Sequence, residues 1–205
     1  MTASNILIDE LPKSVWVDGE EFEIAADFRT SILFEMLMQD DDVEDAEKTV
    51  KALRLYFPVI PQNLEAAVEA LLWFYGCGKE KGSKKEEAKG KKRHERIYSF
   101  DYDDDYIFAA FLSQYGIDLQ DIEYLHWWKF RALFNSLTDD NQIVKIMQYR
   151  SMDISSDLPK EQAKFYKRMK RLYALPKSQS ETEKNKAIEN ALMNGGDLTG
   201  LLDQT

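Results

Sequence analysis

Few side chains in this sequence combine the type and the spacing that chemistry requires. The run Asp101-x-Asp103-x-Asp105 places alternate carboxylates where they could converge on a hard cation. A calcium loop of the EF-hand kind also needs Gly at its sixth position and a bidentate Glu at its twelfth, and those positions hold Tyr106 and Leu112. The run therefore reads as the start of a helix, with solvated carboxylates set against the positive end of the backbone dipole. Asp40-Asp41-Asp42 is assigned no metal either. Cys77 could form a nucleophilic pair with a histidine, but His94 falls in a lysine-rich strip and His126 lies among aromatics without an obvious carboxylate to orient it. The sequence contains no GxxxxGK[ST] phosphate loop, GxGxxG turn, HExxH helix or GxSxG elbow. No catalytic, metal-binding or cofactor-binding residue is assigned, and the chain is expected not to be an enzyme.

Three stretches suit contact with another macromolecule better than catalysis. Between Gly78 and Arg96, nine Lys or Arg stand against four Glu with no large apolar residue, a net charge of +5 that leaves -15 on the remainder. Such a strip could neutralise phosphates, yet it lacks the interleaved aromatics that stack on bases, so a solvated, flexible loop is the favoured reading. The second stretch carries Phe165, Met169 and Leu172 at helical spacing among Lys164, Lys167, Arg168, Lys170 and Arg171. It suits an acidic partner helix or a membrane surface, and the plain alternative is a helix packed on its own acidic body. The third is His126-Trp127-Trp128, where adjacent indoles point about 100° apart on a helix. One can enter the core while the other packs on a neighbour or partner, and core packing is favoured.

The elements that position these residues follow from composition and periodicity. The chain has 205 residues, 44% of them hydrophobic and 12% aromatic, enough for one sizeable domain with a real core. A net charge of -10 argues for solubility and against non-specific attraction to nucleic acid. One cysteine excludes an internal disulfide and points to a reducing compartment. No run approaches the roughly 18 apolar residues of a membrane span, and the opening Met1-Thr2-Ala3-Ser4-Asn5 lacks signal-peptide features, so neither membrane insertion nor export is expected.

The predicted fold class is mostly α: about six helices, a small N-terminal β-hairpin turning at Asp18-Gly19, and a flexible C-terminal tail. Helical patterns run through Phe28–Leu37, Ala46–Tyr56, Leu64–Tyr75, from the acidic run to about Tyr115, through the aromatic stretch Tyr124–Arg131, through Ile143–Met147 and through Phe165–Tyr173. Ile97-Tyr98-Ser99-Phe100 is a short extended candidate, Gly116 suits a left-handed helix stop, and Asp118 can begin the next turn. Residues 1–175 are read as a single domain with a flexible basic loop at 78–96. Residues 176–205 are read as a mobile extension, in which Ser180 and Glu183 have the spacing of a capping box for one short helix.

The segment from Phe100 to Leu137 resembles the signature region of a phage protein family called bacteriophage Gp-fifteen. The resemblance rests on the acidic lead before Tyr106-Ile107, Phe111, the stretch Tyr115-Gly116-Ile117-Asp118-Leu119, and His126-Trp127-Trp128-Lys129-Phe130. The order of hairpin, helices, charged insertion and aromatic block is similar from about residue 6 to 175. The resemblance implies a tail-assembly chaperone of long-tailed phages and prophages, whose gene sits between tail-tube and tape-measure genes. Such a protein would keep the tape-measure protein soluble and recruit tail-tube subunits in the host cytoplasm, without entering the virion. Apolar grooves would hold amphipathic tape-measure segments while the C-terminal region engages the tube, and self-association is left open. The alternatives are a structural tail or neck component retained in the particle, and a nucleic-acid-associated factor using the basic loop.

Overall fold

The computed structural model describes residues 5–79, 96–155 and 158–176. Strand β1 (Ser14–Val17) pairs antiparallel with β2 (Glu20–Glu23), with Val15 opposite Phe22 and Val17 opposite Glu20. Asp18 and Gly19 both take positive φ, 51° and 84°, the combination that lets a two-residue turn match the twist of its strands. Alternation along β1 sends Val15 and Val17 into the core and leaves Trp16 56% exposed.

Seven helices follow among the described residues: α1 (Phe28–Gln39), α2 (Asp45–Tyr56), α3 (Leu64–Tyr75), α4 (Asp104–Tyr115), α5 (Trp127–Asn135), α6 (Gln142–Ser151) and α7 (Lys160–Leu172). They correspond to the seven helical patterns of the sequence, with α6 and α7 divided ahead of Pro159, the cap of α7. The starts and stops follow local chemistry. Asp27 accepts from the Arg29 N–H at the start of α1, and Asn63 accepts from the Ala66 N–H at the start of α3. Gly116 closes α4 in the left-handed region. The α5 helix starts three residues later than the aromatic stretch suggested, because His126 serves as its cap and Tyr124 lies ahead of it, 45% exposed.

Ile97 to Phe100, read as extended, pairs with no strand among the described residues, and the Ser99 N–H donates to the Asp103 carboxylate at 2.9 Å. Nor are the acids of 101–105 all solvated. Asp101, Asp104 and Asp105 are exposed, whereas Asp103 is 1% exposed and lies against Arg150.

One core cluster gathers side chains from both sides of residues 80–95, from Val15 and Phe28 through Tyr56 and Phe74 to Phe111, Phe130 and Ile143. Phe130, fully buried, stacks on Phe28 and on Phe111 with both centroids at 4.9 Å, tying α1, α4 and α5 together. Each such ring removes apolar surface worth about 1.5–3 kcal/mol from water, and the stacked geometry adds about 0.5–1.5 kcal/mol per pair. No helix among the described residues is long and apolar enough to cross a membrane. Most of the basic strip, His94 and the capping-box segment beyond Pro176 lie outside the described residues.

Candidate partner-binding surfaces

Two of the signature residues, Trp127 and Trp128, meet the C-terminal end of α3. A helix leaves its last carbonyls without intrahelical donors, and burying them requires side chains to supply the hydrogen bonds. The Trp127 indole N–H donates to the Tyr75 carbonyl at 2.9 Å and the Trp128 indole N–H to the Phe74 carbonyl at 2.8 Å. Arg131 adds a third donor, its guanidinium reaching the Tyr75 carbonyl at 2.8 Å, where positive charge also complements the helix dipole. Both indoles are therefore buried, at 2% and 3% exposed, and neither is left for a partner.

His126 is a structural connector. Its Nδ1 accepts from the Trp128 N–H at 3.0 Å, so Nε2 carries the proton and donates to the Pro12 carbonyl at 3.0 Å. Burial pushes its pKa below the ordinary 6.5, with the Pro12 bond opposing and Lys129 and Lys13 adding to the shift. Backbone bonds alongside it, Phe28 N–H to Leu125 O and Trp127 N–H to Ala26 O, join the starts of α1 and α5. Cys77 approaches Arg131, 4.0 Å from sulfur to guanidinium nitrogen, and burial pushes its thiol up despite that cation. A thiol held protonated is a poor nucleophile.

The remaining signature residues also have structural contacts. Phe111 is fully buried, and Tyr115 donates its hydroxyl to the Leu133 carbonyl at 2.8 Å. The Asp118 carboxylate accepts from the Gln120 and Asp121 N–H groups, forming the turn after Gly116. Tyr106 is 38% exposed on α4. Beside this cluster, a cavity of about 240 Å³ is lined by Glu35, Tyr75, Tyr98, Trp127 and Arg131 among others. The Tyr75 hydroxyl donates to Glu35 at 2.8 Å, and burial followed by the nearby Glu35 charge raises both tyrosine hydroxyls well above their ordinary range. Among the described residues, no group of three or more His, Cys, Asp or Glu is placed to share a metal ion.

Sequence reasoning missed the Asp103–Arg150 pair. Arg150 donates to both Asp103 oxygens at 2.6 and 2.9 Å, to the Ile97 carbonyl at 3.1 Å and to the Tyr173 carbonyl at 2.6 Å. It thereby joins the cap of α4, the chain entering α4 and the end of α7. The partners lie 47 residues apart in sequence, and no local pattern marks either as buried.

Two surfaces have the opposite character: apolar, basic and open. On α7 no residue is buried. Ala163, Met169 and Tyr173 are partly covered, and Phe165, Tyr166 and Tyr173 all meet Tyr149 of α6, while Phe165 stays 48% and Leu172 63% exposed. Phe165 and Leu172 are seven residues apart, hence on one face, with Arg168 between them and Lys164, Lys167 and Arg171 exposed nearby. The helix covers its apolar stripe in part, through contacts with Tyr149 of α6. The second surface is a groove of about 340 Å³ between α1 and α2, with Leu33, Leu37 and Leu55 as its floor and Lys51 and Arg54 at its edge.

A family model described as Bacteriophage Gp15 protein matches residues 7–175. Comparisons with curated proteins and with solved structures return no match.

Proposed function

The chain belongs to the bacteriophage Gp15 protein family, a family of phage structural or assembly proteins, and from that premise we propose that it is a non-catalytic tail-assembly chaperone that binds the tape-measure protein. The observation that carries this reading is the exposed stripe of α7. A helix with Phe165 48% and Leu172 63% exposed, ringed by Lys164, Lys167, Arg168 and Arg171, offers apolar area and positive charge together. A long helical partner with acidic, amphipathic segments would cover that stripe by helix packing and satisfy its charges. The engagement of aromatic and histidine groups in helix capping supports a binding role over catalysis. Recruitment of tail-tube subunits is assigned to residues 176–205, and the protein acts in the host cytoplasm and leaves before the virion is complete.

The test is co-expression with the tape-measure protein of the same genome, reading soluble recovery and co-elution. The wild-type chain is expected to keep the partner soluble. Phe165→Glu with Leu172→Glu is expected to abolish co-elution while leaving the circular dichroism of the chain unchanged, because neither side chain is buried and Phe165 gives up only edge contacts with Tyr149 and Tyr166. A partner that stays aggregated with the wild-type chain, or this chain found in stoichiometric amount in purified virions, overturns the reading.

A further inference from the structure

The N-terminal turn, like α7, holds large aliphatic side chains in water. Ile8 and Asp9 donate their N–H groups to the Asn5 carbonyl at 3.0 and 2.9 Å, and the Asn5 side chain accepts from the Leu7 N–H at 3.0 Å. The segment is thus a defined turn, yet Ile6, Leu7 and Ile8 are 42%, 87% and 80% exposed. The next two residues are Asp9 and Glu10, both exposed. The turn is an acidic, aliphatic hook.

The α1–α2 groove is its chemical complement. Its floor is Leu33, Leu37 and Leu55, with Leu33 51% exposed, and its edge is cationic. Lys51 pairs with Glu47 at 2.8 Å, one turn away on α2. Arg54 makes no ion pair or side-chain hydrogen bond among the described residues. We propose that the hook of one copy, Ile6 to Glu10, seats in the α1–α2 groove of a second copy, with Leu7 and Ile8 on the leucine floor and Glu10 facing Arg54.

A second copy suits the groove better than other occupants. Within one chain the hook is anchored elsewhere: Leu11 packs against the core and Pro12 accepts the His126 Nε2–H bond, leaving the aliphatics in solvent. The α7 stripe, also apolar and exposed, is basic and would be repelled by Lys51 and Arg54. Because hook and groove are different surfaces, each copy can both donate and accept. The same contact therefore serves a reciprocal dimer, a ring or a chain of copies.

The experiment measures the mass of the full chain alone by light scattering and sedimentation from a few to a few hundred micromolar. A mass rising above 23.9 kDa with concentration is expected. Leu7→Asp with Ile8→Asp, and separately Leu33→Asp, should return it to that value; all three side chains are exposed, so the fold should survive, as circular dichroism will report. Arg54→Glu should weaken self-affinity about tenfold, and adding Glu10→Arg to it should restore the affinity. A mass of 23.9 kDa throughout overturns the proposal, as does an oligomer indifferent to the hook and groove changes. No tape-measure protein enters this experiment, so its failure leaves the chaperone reading untouched, and the reverse holds.

Discussion

His126 shows how one residue can be chemically versatile by type and fixed by context. Both ring nitrogens are used, one accepting from a helix N-terminal N–H and the other donating to a distant carbonyl. A second proton would go to Nδ1, breaking the bond to the Trp128 N–H and placing a cation at a helix start, where the dipole is unfavourable. The folded pKa is accordingly below 6.5, chiefly through burial. The unfolded chain therefore takes up the proton first as pH falls. This contribution to stability is complete above about pH 7 and is lost as pH drops from 6.5 towards the folded value. The limiting slope for one proton is about 1.4 kcal/mol per pH unit. Denaturant melts of the wild-type chain at pH 7.5 and 5.5 should show a larger loss than the same pair for His126→Asn. Equal losses would mean that His126 titrates alike in both states.

At the scale of elements, Arg150 is the point where α4, α6 and α7 meet. Its guanidinium is 8% exposed and its partner carboxylate 2%, so the pair has lost its water and depends on its own hydrogen bonds. Asp103→Ala leaves the buried cation uncompensated and should cost about 3–5 kcal/mol, a fall in Tm on the order of 10 °C for a chain of this length. Replacing both partners, with Asp103→Leu and Arg150→Met, removes the uncompensated charge and should recover most of that loss. A single change costing less than about 1 kcal/mol would contradict the burial. The same pair marks where sequence reading stops. Asp18-Gly19, the Tyr115-Gly116 helix end and Pro159 were legible because turns and caps are set by neighbours in sequence. The aromatic block was legible as buried mass, but its work as a cap for α3 was not, since donor and acceptor lie more than fifty residues apart. Asp103 was misread for the same reason, because an acid at a helix start is ordinarily solvated. The hook and groove were invisible because exposure of an aliphatic residue is a property of the fold, not of its sequence neighbours.

Across the whole molecule, charge and apolar surface are distributed unevenly. The chain is acidic overall, with a net charge of -10, yet α7 and the edge of the α1–α2 groove are basic and apolar together. Self-repulsion keeps the acidic body dispersed while these two places remain attractive to acidic, apolar partners. The core cluster joins β1 and α1 directly to α4, α5 and α6, on either side of residues 80–95. Both ends of that segment return to α1. Tyr75 reaches Glu35 just before the chain departs, and Arg96 donates to Gln39 at 3.1 Å where it re-enters. Replacing residues 80–95 with eight Gly and Ser residues halves the length of chain joining Lys79 to Arg96 and lowers the entropic cost of closing it by about 0.6 kcal/mol if the segment is unstructured. Thermal stability should therefore be unchanged or slightly higher, and tape-measure solubilisation should persist, because the surfaces assigned to it lie elsewhere. Stability can be read by calorimetry and function by the co-expression assay. Loss of solubilisation with an intact melt would move the binding surface onto the basic segment. A collapsed melt would instead show that residues 80–95 contribute contacts to the core.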